Sequence, residues 1–121
     1  MGTQNKFNSV TIVSGADLSA AQYKAVTVAG IIAAASTTAI GILQDNPGAS
    51  NRHAQVGYQG IMLAHAAAAI TAGGALTVTT SGYITLIASG GGTSCGKALE
   101  AANSGDLFTG LYDFSNATTV L

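Results

Sequence analysis

The residues of this chain that could do chemistry are few, and each grouping can be tested by its spacing. Gly91-Gly-Thr-Ser-Cys-Gly-Lys97 satisfies the glycine, four residues, glycine, lysine spacing of a phosphate-binding loop. Ala98 then stands where a Ser or Thr hydroxyl should hold magnesium. Lys97 is also too close to the turn glycine Gly105 for the long helix whose N-terminus would carry the phosphates. A glycine-rich hairpin loop is the better reading. His53 and His65 fall on one extended segment, and twelve residues of strand would hold them roughly 40 Å apart, too far to share a metal. No Gly-x-Ser-x-Gly elbow presents a serine nucleophile. Asp17, Asp45, Glu100, Asp106 and Asp113 are scattered singly and mostly border predicted turns, where carboxylates accept hydrogen bonds from backbone amides. The lone Cys95 cannot close an intrachain disulfide, and no Cys/His cluster has zinc spacing. Asn116-Ala-Thr118 matches a glycosylation acceptor by pattern alone. Neither a catalytic residue nor a cofactor or metal site is expected, and the chain does not read as an enzyme.

The framework that would position such residues can be inferred from composition. Of the 121 residues 48% are hydrophobic and only 7% are Asp, Glu, Lys or Arg, against about 25% charged in an ordinary soluble domain. High hydrophobicity with a formal net charge of -1 excludes a disordered chain and leaves no cationic surface for nucleic acid. The nineteen residues Ala25 to Leu43 carry no charge and are just long enough to cross a bilayer as a helix. Gly30, Ser36, Thr37, Thr38 and Gly41 dilute them, however, so buried strands separated by small-residue turns are expected and a membrane partner is not. Met1-Gly2 lacks the Ser or Thr at position 6 that a myristoylation start requires.

Short β-branched runs alternate with Gly, Asn, Ser or Pro throughout, which predicts an all-β protein, a small antiparallel β-barrel or β-sandwich. Residues 10–121 read as a single β-domain and residues 1–9 as a flexible N-terminal arm. Strands are expected at Val10 to Val13, Gln22 to Val28, Ile31 to Ala34, Ala39 to Gln44 and Ala54 to Ala66, the last with a bulge near Gly57 and Gly60. A type II turn is expected at Asp45-Asn-Pro-Gly48. Ala75 to Thr79 with Tyr83 to Ile87, and Lys97 to Ala101 with Leu107 to Tyr112, read as two hairpins. The alanine run Ala66 to Ala69 is cut short by Gly73-Gly74, leaving room for only a short helix or a loop. A β-domain with so few Lys and Glu side chains forfeits little rotamer entropy and charge hydration when another subunit covers it, so structural assembly is the expected class of function.

The order of elements resembles the small capsid decoration proteins, also called head-stabilising or cement proteins, of tailed bacteriophages. The resemblance rests on Tyr23-Lys-Ala-Val-Thr-Val, Ala39-Ile-Gly-Ile-Leu, Val56-Gly-Tyr-Gln-Gly, Ala69-Ile-Thr-Ala-Gly-Gly-Ala-Leu, Ser81-Gly-Tyr-Ile and Gly96-Lys-Ala-Leu-Glu-Ala-Ala followed by Gly105-Asp. These landmarks cover most of Leu18 to Tyr112. The alanine patch at Ala66 to Ala69 and the Cys95 loop depart from the pattern. The resemblance implies a structural virion protein on the outer capsid surface, binding the major capsid protein, commonly as a homotrimer. It implies no catalytic residues.

Thr3, Gln4, Asn5, Lys6, Phe7 and Asn8 of the arm are the expected capsid contacts, because they supply uncharged donors and acceptors, one charge and one apolar side chain. Two other readings use the same features. A phage tail, fibre or pilus-like subunit would polymerise through the same uncharged β surface. A small-ligand barrel would need a polar-lined pocket that no cluster in the sequence marks.

Overall fold

A computed structural model describes residues 7–35, 38–87 and 94–114, and in them the chain is all-β. The strands are β1 (Phe7–Val13), β2 (Ala25–Thr27), β3 (Ala39–Leu43), β4 (His53–His65), β5 (Ala75–Val78), β6 (Ile84–Leu86), β7 (Gly96–Ala98) and β8 (Leu107–Asp113). All strand pairs are antiparallel, in the order β2-β3-β4-β8-β7-β5-β6, with β1 added to β4.

The thirteen-residue β4 organises the fold because it is long enough to serve two halves of the molecule. Along it Ala54, Val56, Met62 and Ala64 are buried while His53, Gln55 and Gln59 are exposed, the two-residue period of a strand with one face in a core. Val56 and Gly57 pair with β1 and β3 at once, and Gln59 and Gly60 with β1 and β8 at once. A residue's two partners lie on its opposite sides, so β3 and β8 succeed one another along the edge of β4 that β1 leaves free. The register shifts between Asn8 and Ser9, so that Tyr58 is an extra residue on β4 with no partner on β1. This is the bulge expected near Gly57 and Gly60, and a bulge bends the strand that carries it.

Beyond the bulge the sheet curls into a nearly closed barrel. From β4 it runs through β8, β7, β5 and β6, and a parallel bridge from Ile84 returns it to Ala66, just past the end of β4, where the Ala67 amide donates to the Ile84 carbonyl at 2.8 Å. Closure removes the free edges that would otherwise pair with other chains. Its interior holds Met62, Leu76, Val78, Ile84, Phe108, Tyr112 and Phe114, all buried. Before the bulge, β1, β4, β3 and β2 curl over a smaller core of Leu18, Ala21, Val26, Leu43, Ala54 and Val56. The Gly15 amide donates to the Gly30 carbonyl at 2.9 Å and ties the end of β1 to the turn after β2. Gly30 takes φ 79° there, and a Cβ on it would lie 2.4 Å from the Val13 carbonyl oxygen, so no other residue fits this junction. Beside it, buried Ser14 donates its hydroxyl to the Ala49 carbonyl at 2.7 Å and accepts the Arg52 amide at 3.0 Å, pinning the β3–β4 loop.

Tyr112 fills the barrel by lying over Gly110, where a Cβ would come within 2.6 to 2.7 Å of its ring, and it stacks on Phe114 at 5.9 Å between ring centroids. Burial pushes its hydroxyl pKa well up, with Cys95 adding to the effect, and the hydroxyl has no hydrogen-bond partner among the described residues. A buried hydroxyl without a partner is a standing penalty of about 1–3 kcal/mol. Tyr112→Phe is therefore expected to leave stability unchanged or to raise it by about 1 kcal/mol, read as the urea midpoint. A loss above about 1 kcal/mol would show that the hydroxyl is satisfied.

Four expectations need correction. The strand expected over Gln22 to Val28 is confined to Ala25–Thr27, because Tyr23 takes φ 67°, held by its amide to the Leu43 carbonyl (2.7 Å) and by the His65 amide to its own carbonyl (3.2 Å). Ile31 to Ala34 is no strand: the chain turns at Gly30 and leaves only a single bridge from Ile32 to Val26. The turn at Asp45 to Gly48 is not type II, since that needs positive φ at Gly48, and the left-handed residue of this loop is Asn51 at φ 63°. The arm expected over residues 1–9 loses its last three residues to the sheet, because Phe7, Asn8 and Ser9 pair with Gly60, Gln59 and Gly57 as the start of β1. The uncharged segment Ala25 to Leu43 contains β2 and β3, and no helix among the described residues is long and apolar enough to cross a membrane.

Candidate association surfaces

The chemistry-bearing residues are dispersed by the fold. Gly96 to Ala98 of the phosphate-loop look-alike form β7, with Lys97 exposed and paired to Leu111, while Gly91 to Thr93 lie outside the described residues. His53 and His65 stand at opposite ends of β4. His53 is exposed; His65 is half-buried and meets the Tyr83 ring edge-on at 6.0 Å, while the Lys24 ammonium lies over the same ring at 4.8 Å. No group of three or more His, Cys, Asp or Glu among the described residues could hold a metal. Four of the five carboxylates accept backbone amides. Asp17 accepts the Ser19 amide at 2.9 Å, Asp45 the Gln55 amide at 3.1 Å, Asp106 the Asn103 amide at 3.2 Å and Glu100 the Thr109 amide at 2.8 Å. A polar depression of about 640 Å³ lies between Asp45–Gly48 and Asn51–His53.

The Thr109 amide, donating to the carboxylate, holds the Glu100 carboxyl below its ordinary pKa. A carboxyl lowered in the folded state stabilises that state above its unfolded pKa, about 4.3 for Glu. That stability is lost as pH falls through the lower folded value. Glu100→Gln is expected to flatten the acid limb of the stability–pH curve below pH ~4.3 and to leave the neutral slope unchanged; an identical acid limb in the variant would refute the linkage.

What the exterior does concentrate is apolar area. On the outer face of the barrel, Leu111 pairs with Ile61 on one side and Lys97 on the other, Thr109 pairs with Leu63, and Leu107 with His65. The Leu99 amide donates to the Thr109 carbonyl and extends the second row. Residues paired directly across an antiparallel ladder share a face. Leu99 and Leu111 are each 50% exposed and Leu107 45%, with Ile61 and Leu63 half-buried among them. These rows are spaced by the hairpin register, which is why the sequence shows three separate leucines and no patch.

A second apolar region lies where the smaller core opens. Val10 and Val13 of β1 and Val28, Ile31 and Ile32 after β2 are all exposed. Between β1 and the β2–β3 pair is a groove of about 550 Å³ lined by Ser9, Val10, Ile12, Val28, Ala39, Ile40, Tyr58 and Phe114. Of the expected arm contacts, Phe7 is half-buried and packs against the barrel core, and Asn8 donates its side-chain amide to Gln59 at 3.2 Å. Phe7 is thus committed to the protein's own fold, and Thr3, Gln4, Asn5 and Lys6 lie outside the described residues.

No family model and no curated protein matches the chain. Among solved structures it is similar to the N base of the head fiber protein gp8.5 of bacteriophage phi29, with a TM-score of 0.66 and 18% sequence identity over 96% of this chain and 100% of that one. At that identity the two chains share a fold, matched from end to end.

Proposed function

We propose that this chain is a structural protein of a tailed-phage virion, seated on the outer surface of the head. There it binds the major capsid protein and stabilises the shell, and it does so as a homotrimer without cofactor or catalysis. The end-to-end similarity to the base of a phage head fiber carries this reading. The charge-poor exterior and its two apolar regions supply the surfaces such attachment needs, since burying them removes little charge hydration. The uncharged residues Thr3, Gln4 and Asn5, with Lys6, extend the contact to the capsid. Mixing the purified protein with heads that lack it is expected to give saturable co-sedimentation and a higher rupture temperature. No binding to such heads at micromolar protein would overturn the reading.

The same similarity favours a second reading, a fibre subunit, because its neighbour is the base of a fibre. Light scattering separates the two. A discrete trimer fits decoration, whereas open assemblies that grow with concentration fit a polymerising subunit.

A further inference from the structure

The two sides of β8 carry apolar surfaces of opposite shape. Successive strand residues point to opposite faces, so Leu107 and Leu111 stand outside the barrel, where Leu99 joins them, while Phe108 and Tyr112 point inward with Phe114 stacked on Tyr112. The three leucines form a convex ridge resting on Ile61 and Leu63. On the inner side, Phe114 is part of the wall of the groove between β1 and the β2–β3 pair, a concavity of about 550 Å³ whose eight lining residues carry no charge. Val28 in that lining is 72% exposed and Val10 42%, so the groove is open to a partner.

We infer that the leucine ridge of one copy of this chain sits in the groove of the next, joining copies head to tail. The inference rests on the homo-oligomer reading given above and names its contact surfaces. Area favours this pairing over the ridge against itself. A half-exposed leucine leaves roughly 90 Å² open, so two ridges in contact cover only roughly 300 Å² a side, against about 800 Å² per partner in a stable interface. Head-to-tail contact uses both surfaces of every copy and about doubles the apolar area that each buries, to roughly 600 Å²; with apolar atoms at about 60% of such an interface, this corresponds to roughly 1,000 Å² per copy. Chemistry agrees, because no charge has to enter the groove. Lys97 is exposed beside Leu111, and its four-carbon stem carries the ammonium out to the rim. Ridge and groove lie on opposite sides of β8, so one two-fold contact cannot engage both pairs at once. The association is therefore heterologous, and it closes into a ring where the rotation between copies permits.

Two variants of the full chain test this: Leu107→Glu with Leu111→Glu for the ridge, and Val10→Glu with Val28→Glu for the groove, all at positions at least 42% exposed. Light scattering is expected to show the native chain as an oligomer, each variant alone as a folded monomer, and their equimolar mixture as a one-to-one dimer, because each retains the surface that the other lacks. An oligomeric groove variant would mean that ridge meets ridge, and an oligomeric ridge variant that groove meets groove. Either result, or a mixture that stays monomeric, would overturn the inference and leave the oligomer reading standing; a monomeric native chain would overturn both. Cysteines in the oligomer give a second measurement that does not depend on the charged variants. Chains carrying Leu111→Cys are co-expressed with chains of different mass carrying Val28→Cys, and buried Cys95 is left in place. Mild oxidation is expected to join unlike chains at least tenfold faster than like ones. Like-chain disulfides at an equal or greater rate, or no disulfide at all, would overturn the inference.

Discussion

Replacing Leu107 and Leu111 together by Glu is expected to abolish attachment to heads, or self-association, while leaving the fold intact. Both side chains are about half exposed on the outer face of β8, so the monomer gives up little burial when they change, and exposed substitutions usually stay within about 0.5 kcal/mol. In an interface the same positions would be covered. A carboxylate buried there without a partner, in place of an apolar anchor, typically removes about 2–4 kcal/mol, roughly 30- to 1,000-fold in affinity. Lys97, paired with Leu111 on the same face, would partly offset one new charge, so the double variant is the cleaner test. Sedimentation with heads and light scattering read the outcome beside a thermal melt. Unchanged binding would move the interface away from the β7–β8 face, and a collapsed melt would mean that these leucines support the core.

The largest stability effect is expected from Phe108→Ala. Phe108 has no exposed surface, lies in the barrel interior with Met62, Leu76 and Ile84, and pairs with Ala64 on β4, where the small partner makes room for the ring. Truncation removes the ring's burial and leaves a cavity that β4 and β8, hydrogen-bonded from Gln59 to His65, cannot close. A loss of about 3–5 kcal/mol is expected, which for a chain of this size lowers the melting temperature by roughly 10–20 °C. A loss below about 1 kcal/mol would mean that the barrel repacks freely and that its interior is not close-packed.

Much of the barrel was legible in the sequence because its signals are local. The β5–β6 and β7–β8 hairpins, the boundary after β3 and the long strand with its bulge near Gly57 and Gly60 emerge from alternation and turn chemistry within a few residues. The features that were not legible depend on contacts between distant segments. Tyr23 ends a strand pattern because β3 and β4 supply hydrogen bonds to its left-handed backbone, and nothing in Gln22 to Val28 announces that. Phe7 to Ser9 are polar enough to read as an arm, yet Gly57, Gln59 and Gly60, some fifty positions later, give them a strand to pair with. The outer apolar face was hidden for the same reason, since Leu99, Leu107 and Leu111 meet Ile61 and Leu63 only through the register of β4, β7 and β8.

The claim that this chain is a head-surface structural protein is tested most directly by electron cryomicroscopy of virions of a phage that encodes it. Density matching the nearly closed barrel is expected on the outer face of the head, in contact with the major capsid protein, and absent from virions of a deletion mutant. Virions of both kinds with identical bare heads, or the barrel located in the tail alone, would contradict the account.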